Sequence, residues 1–181
     1  MTASTATASS APADLDSVRR ELAGNPGGIL ESTAAQHGLP LQTVIECLPQ
    51  AMWTRVAGDR FVEVMEDLSG WGSVTVIAHT KDIILEVEGP VPPGKLGHGF
   101  YNLHGDSPIG GHLRADNCKA IMFLRRPFMG KETVSVQFFN AAGEAMFKVF
   151  VGRDENRALK PDQVERFVEL EARLGKAAAV H

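Results

Sequence analysis

The sequence has little cysteine, no long apolar run and no large excess of charge of either sign. Its 181 residues include two cysteines, Cys47 and Cys118, which are too few and too far apart for a disulfide framework or a thiolate metal site. No segment approaches the roughly 20 apolar residues that a membrane-spanning helix requires. A formal net charge of −4 gives no general attraction to nucleic acid. We therefore expect reduced, buried thiols, a cytoplasmic location, and no membrane or nucleic-acid partner.

The first thirteen residues differ in composition from the rest of the chain. Residues 1–13 are almost entirely alanine, serine and threonine, and they lack the basic and apolar regions of a signal peptide. Such a segment buries too little surface to offset its ordering entropy, so a disordered tail is expected. With 44% hydrophobic and 22% charged residues overall, residues 14–178 are expected to form a single domain.

Helices are predicted at both ends of this domain. Asp14 or Asp16 can cap a first short helix, and Gly38 ends a second. A third short helix follows, so that residues 14–49 form an N-terminal helical unit. Near the other end, apolar residues recur at helical spacing and predict a C-terminal helix over residues 160–177.

The central part of the chain, residues 53–152, is predicted to be an antiparallel sheet. Residues 61–66, 71–79 and 83–88 have the alternation or the β-branched content of strands, whereas residues 89–97 are rich in proline and glycine and predict a loop. Further strands are predicted at residues 98–103, 112–115, 119–125, 133–140 and 144–151. Strands joined by short turns with no intervening helix predict a large meandering antiparallel sheet of about seven to nine strands. The fold class is therefore α+β, with helices flanking the sheet at both chain ends.

Four of the six histidines fall within one third of the chain: His79, His98, His104 and His112. Neutral imidazole is a good ligand for iron, zinc or haem. His98 and His104 are six positions apart, slightly wider than the usual zinc-binding pair. The spacing leaves haem ligation, zinc ligation and a purely structural role open.

Haem needs only one or two axial nitrogens, together with an apolar surface and cations for its propionates. Apolar side chains that can cover the ring occur nearby in the sequence: Phe100, Tyr101, Ile121, Met122 and Phe123. Cations suited to carboxylates are also present: Arg114, Arg125, Arg126 and Lys131.

Two other classes of function have weaker signals. The sequence contains no nucleophile-elbow serine motif and no glycine-rich phosphate loop of the known kinds. Residues 29–44 resemble a helix-turn-helix, but the second helix offers only Gln42 for base edges and carries Glu46, which is unfavourable beside phosphate. A packing role for the helical unit is favoured over a DNA-binding regulator.

Several short motifs, in order along the chain, resemble the HutX/ChuX family of intracellular haem carriers. They are WGSVT at 71–75, AHT at 78–80, GHGFYNL at 97–103, GHLRADNC at 111–118, FMG at 128–130, FFN at 138–140, AMFKVF at 145–150 and VGRD at 151–154. The motifs lie between residues 71 and 154, and the resemblance is expected to extend over roughly residues 15–175. A set of motifs this long is far more specific than any one of them.

The resemblance implies a saddle-like antiparallel sheet, related to half of the larger HemS/ChuS-type proteins, and a homodimer that imitates their two halves. It implies a protein that binds haem b non-covalently and passes it to a haem-degrading or haem-storing partner. His79 in the AHT motif and His112 in the GHL motif are the expected iron ligands. His98, Arg114 and Arg126 are further candidates for haem contacts. A haem-degrading enzyme is the rival interpretation.

The sequence departs from the family pattern at two positions. His104 stands where relatives often carry arginine, and Pro127 stands where a basic residue is common. Both changes remove a cation that could meet a propionate, and His104 supplies another candidate nitrogen.

Overall fold

The computed structural model describes residues 14–178, and within that range the chain forms five α-helices and nine β-strands. The predicted tail of residues 1–13 lies outside the described residues. The helices are α1 (Leu15–Gly24), α2 (Leu30–His37), α3 (Leu41–Glu46), α4 (Phe61–Leu68) and α5 (Pro161–Ala178). The strands are β1 (Trp53–Ala57), β2 (Ser73–His79), β3 (Ile84–Pro90), β4 (Gly94–Gly97), β5 (Phe100–Leu103), β6 (His112–Leu113), β7 (Ala120–Phe128), β8 (Lys131–Phe139) and β9 (Ala145–Phe150).

The N-terminal helices begin and end at the residues that favour such ends. The Asp14 side chain accepts hydrogen bonds from the backbone N–H groups of Asp16 and Ser17 and so caps α1. Gly38 adopts the left-handed conformation, with φ of 63°, and ends α2. Both predicted helix boundaries are confirmed.

The nine strands form two antiparallel sheets. The large sheet has the strand order β1-β7-β8-β9-β2-β3, and the small sheet has the order β4-β5-β6. The predicted α+β class with a large antiparallel sheet is confirmed. The expectation of a single uninterrupted succession of strands is wrong, because β4, β5 and β6 pair only with each other and because a helix precedes β2.

Residues 61–66 are helical, so the prediction of a strand there is wrong. Phe61, Val64, Met65 and Leu68 are all buried, and their spacing of three, four and seven residues places them on one face of α4. The apolar pattern of these six residues also fits the alternation of a strand, so the strand period could not be distinguished from the helical period. The Phe61 ring packs edge-on against Tyr101 of the small sheet and Phe138 of the large sheet, with centroid distances of 5.7 and 5.3 Å, so α4 contacts both sheets.

The predicted loop over residues 89–97 is only partly correct. Strand β3 continues to Pro90, and β4 pairs with β5 along the edge of the small sheet. Gly94 is required there, because a Cβ atom at this position would lie 2.2 Å from Cε1 of Tyr101. Proline and glycine in this segment therefore indicate an edge strand and a close contact between the strand backbone and the Tyr101 ring.

Each face of the large sheet has its own hydrophobic core. One face packs against α4, α5 and the small sheet and buries Phe123, Phe138 and Phe167, among others. The opposite face packs against α1, α2 and α3 and buries residues such as Leu30 and Met122. The apolar side chains of the helical unit therefore face the sheet, which supports the packing role expected for it.

Candidate functional site

His79 is the last residue of β2 and lies on the face of the large sheet that the N-terminal helices cover. Its neighbour Ala78 points to the opposite face, because successive side chains alternate along a strand. The side chain of His79 is 24% exposed, and its Nδ1 lies 3.3 Å from Oε1 of Glu31 on α2. His79 therefore meets a carboxylate that comes from a distant part of the chain.

The same carboxylate oxygen of Glu31 forms an ion pair with Nζ of Lys148 on β9. Lys148 is only 6% exposed, and a buried ammonium group requires such a partner. Burial raises the pKa of the Glu31 carboxyl, but the charge of Lys148, hydrogen bonds from Lys148 and the backbone, and the nearby His79 outweigh this effect. The pKa of Glu31 therefore lies below its ordinary value of 4.5, and the group is a carboxylate near neutral pH.

His112 is an exposed residue on β6 of the small sheet, and Asn102 on β5 holds its ring. Nδ1 of His112 lies 2.7 Å from Oδ1 of Asn102. The amide nitrogen of Asn102 donates to the carbonyl oxygens of Gly97, Phe100 and Lys95 at 3.0, 3.2 and 3.2 Å. Because these carbonyls fix the orientation of the amide, its oxygen must face the imidazole.

An aromatic ring and a cation accompany His112 on the small sheet. The Phe100 ring lies edge-on to the imidazole, with centroids 6.0 Å apart. The guanidinium carbon of Arg114 sits 4.5 Å from the centroid of the Phe100 ring. A free imidazole nitrogen, an apolar ring and a guanidinium group that can bind a carboxylate are thus close together.

A mainly apolar cavity of about 350 Å³ lies between the two sheets. Its lining includes Ala78 and Leu113, the chain neighbours of His79 and His112. Neither histidine lines the cavity, because both side chains point away from it. The structure therefore gives the two histidines different neighbours within one chain, and no contact described for residues 14–178 joins them.

Two further residues were predicted to contact haem, His98 and Arg126, and the structure places them in different surroundings. His98 is exposed in the turn between β4 and β5, with φ of 53°, and no contact joins it to the other histidines in the part of the chain that the structure describes. Nη1 of Arg126 donates to the carbonyl oxygens of Pro26 and Gly28 at 2.8 and 2.9 Å. Arg126 therefore binds the loop between α1 and α2.

The apolar surface predicted for the haem ring is wrong for four of its five members. Phe100 is half-buried, but the others are buried in the two cores: Tyr101, Ile121, Met122 and Phe123. They were predicted to cover the haem ring because of their place in the sequence, but their packing within the protein leaves them no surface for a ligand. Of this group, Phe100 alone stands beside a candidate ligand.

Sequence reasoning did not identify the residues that hold the two imidazoles. Asn102 lies within the GHGFYNL motif and Lys148 within the AMFKVF motif, and these were the signals that could have indicated them. Glu31 carries no such signal, because its contacts join α2 to the distant strands β2 and β9. Among the helices within residues 14–178, none has the length and apolar character that crossing a membrane requires.

Comparisons with known proteins give consistent matches. A family model described as "Haem utilisation ChuX/HutX" matches residues 54–170. The "Intracellular heme transport protein HutX" of Vibrio cholerae serotype O1 is 42% identical over 125 residues, which make up 68% of this chain and 65% of that relative. The match thus spans slightly less than two thirds of the relative's length.

Two solved structures illustrate the likeness in fold. The structure of "the Heme Binding Protein ChuX" is 41% identical, with a TM-score of 0.80, and the match covers 87% of this chain and 98% of that chain. ChuS, named "an E. coli Heme Oxygenase", is 14% identical with a TM-score of 0.69, and the match covers 87% of this chain but 49% of that chain. At this low identity the second likeness concerns the fold alone.

Proposed function

The chain belongs to the ChuX/HutX haem-utilisation family, and from this premise we propose that it is a cytoplasmic protein that binds haem and carries it after uptake. It then passes the haem to a partner that stores or degrades it. The names of the relatives, a heme transport protein and a heme-binding protein, support this proposal. The observation that carries it is the exposed imidazole of His112, held by Asn102 at 2.7 Å beside Phe100 and Arg114.

In this proposal His79 and His112 are the axial ligands of haem b. The donor set fits haem, because each ring has its Nδ1 beside an oxygen acceptor and can offer Nε2 to iron. Binding is non-covalent: Cys47 and Cys118 are buried, and the sequence has no C-x-x-C-H attachment motif. A ligand that can be exchanged suits a protein that must release its cargo.

In this proposal one imidazole binds the iron, and the other binds the opposite face of the haem or takes over during transfer. The different neighbours of the two rings within one chain favour the second alternative, and a single imidazole suffices to hold a haem iron.

Arg114 is the leading candidate for a propionate contact, because its guanidinium is exposed and adjacent to His112. His98 is a further candidate on the same small sheet and is also exposed. Arg126 remains a weaker candidate, since one of its nitrogens already donates to two loop carbonyls.

We also propose that two copies of the chain form a homodimer. The chain matches about half of ChuS, so two copies can take the place of the two halves of the larger protein. Sedimentation equilibrium tests this proposal. A mass near twice 19.5 kDa supports the dimer, whereas a mass of one chain contradicts it.

The second candidate function is haem degradation, and the likeness in fold to a heme oxygenase is the observation that favours it. The two functions differ in the fate of the cargo. The haem complex is incubated with a reductant and oxygen, with catalase present to suppress coupled oxidation. A carrier keeps its Soret band, whereas an oxygenase releases iron and an open-chain tetrapyrrole.

A further inference from the structure

We propose that Asn102 and Glu31 are positioning residues that make His112 and His79 unequal ligands. Both residues direct Nε2 of their histidine toward the cargo, and His79, which is backed by a carboxylate, is the stronger donor to ferric haem. This inference rests on the proposed function and extends it by ranking the two ligands.

The first step concerns which nitrogen of His112 carries the proton. The amide nitrogen of Asn102 donates to three backbone carbonyls, of which those of Gly97 and Phe100 are 3.0 and 3.2 Å away. Its oxygen, which can only accept, lies 2.7 Å from Nδ1 of His112. Nδ1 must therefore be the N–H donor, and Nε2 keeps the lone pair that a metal requires.

The second step concerns His79, where the contact is electrostatic. Oε1 of Glu31 lies 3.3 Å from Nδ1 of His79, at ion-pair distance. The ion pair with Lys148 holds this carboxylate in place from the neighbouring strand β9. A negative charge beside Nδ1 favours the tautomer that carries its proton on Nδ1, which leaves Nε2 as the ligand atom.

The third step concerns ligand strength. A carboxylate beside one imidazole nitrogen makes the opposite nitrogen a stronger donor to a metal than a neutral amide does. A stronger axial donor favours ferric over ferrous iron. His79, backed by Glu31, therefore binds ferric haem more tightly than His112, backed by Asn102, and the difference is smaller for ferrous haem.

The tautomers can be measured on the chain without any haem. Long-range 1H–15N NMR spectra of the imidazole rings, recorded above the pH at which the histidines lose their proton, distinguish Nδ1–H from Nε2–H. We expect Nδ1–H at both His79 and His112, although free neutral histidine prefers Nε2–H. An Nε2–H signal at either residue overturns the inference and leaves the haem-carrier proposal intact.

Ligand strength is tested with two proteins that each keep one ligand, His112→Ala and His79→Ala. We expect the protein that keeps His79 to have the lower midpoint potential in its haem complex. In this protein Glu31→Gln should raise the potential and weaken ferric haem binding about tenfold. Because Glu31→Gln leaves Lys148 without its carboxylate, the double change Glu31→Gln/Lys148→Met is examined as well and should have the same effect.

The protein that keeps His112 is the matched control, since Glu31 does not contact that ring. Changes at Glu31 should leave its midpoint potential unchanged. Equal shifts in both proteins, or no shift in either, overturn the inference. If the unmodified chain gives no saturable haem titration, the haem-carrier proposal fails, and this outcome is separate from the tautomer result.

Discussion

The guanidinium of Arg126 on β7 donates a hydrogen bond to the carbonyl oxygen of Gly28 across 2.9 Å, and so ties the loop between α1 and α2 to the large sheet. The same nitrogen donates to Pro26. Arg126→Ala leaves both carbonyls without this donor and should lower the free energy of unfolding by about 1–3 kcal/mol. Denaturant unfolding at neutral pH measures the change.

Arg114→Ala is the matched control for Arg126→Ala. Arg114 is exposed and contacts the Phe100 ring, so its removal should change the free energy of unfolding by no more than about 0.5 kcal/mol. The proposed propionate contact predicts instead that Arg114→Ala weakens haem binding. If Arg126→Ala unfolds like the wild type, its bonds to the loop contribute nothing to stability.

Gly94 on β4 is a second test of the fold. A Cβ atom at this position would lie 2.2 Å from Cε1 of the buried Tyr101, so Gly94→Ala must displace the ring or the strand. We expect a loss of about 1–3 kcal/mol in the free energy of unfolding. Gly110→Ala is the control, because a Cβ atom there meets nothing within 4 Å. Equal stability of the two variants would show that the small sheet does not pack as described.

The Glu31 carboxylate predicts a pH dependence of stability in the haem-free protein. Burial raises its pKa, but the ion pair with Lys148, the backbone hydrogen bond and the nearby His79 together outweigh this effect, so the pKa in the folded state lies below the ordinary value of 4.5. Its contribution to stability is therefore complete above pH 4.5 and is lost as the pH falls through the folded-state pKa. Relative to the wild type, Glu31→Gln should be less stable by roughly 1–2 kcal/mol near neutral pH.

This difference between wild type and Glu31→Gln should shrink as the pH is lowered below 4.5. Urea unfolding of both proteins at a series of pH values provides the measurement. A difference that stays constant or grows on acidification contradicts the proposed ion pair.

The thiols provide a further prediction. Burial raises the pKa of the Cys118 thiol to about 11, and it also raises the pKa of Cys47. Both side chains are buried, and the thiolate is the reactive form. The native protein should therefore react very slowly with a thiol reagent at neutral pH, while the protein unfolded in urea should react at once at two thiols. Rapid labelling of either cysteine in the native state would show that its burial is incomplete.

Helix ends and most strands could be predicted from the sequence because local chemistry determines them. Asp14 and Gly38 act within a few residues of their own position, through a side-chain cap and a left-handed backbone. Residues 61–66 could not be assigned in this way. Over six residues the apolar pattern fits both a strand and a helix, and burial of Phe61 and Leu68 against the sheets decided for the helix.

The candidate site was only partly predictable. His79 and His112 stand in recognisable motifs, but nothing local indicates that Glu31 faces His79 or that Asn102 faces His112. These contacts arise from the stacking of α2 on the large sheet and from the pairing of β5 with β6. The same limit explains why Tyr101 and Phe123 were expected beside haem, since their burial depends on the packing of the whole domain.

The central claim, that the imidazoles of His79 and His112 bind haem iron, is tested by an absorbance titration with ferric haem. The wild type should give a saturable Soret band, and so should the control His37→Ala, which removes a histidine at the end of α2 that pairs with Glu21. His79→Ala/His112→Ala should lose this band. If that double variant instead titrates like the wild type, these two histidines are not the ligands.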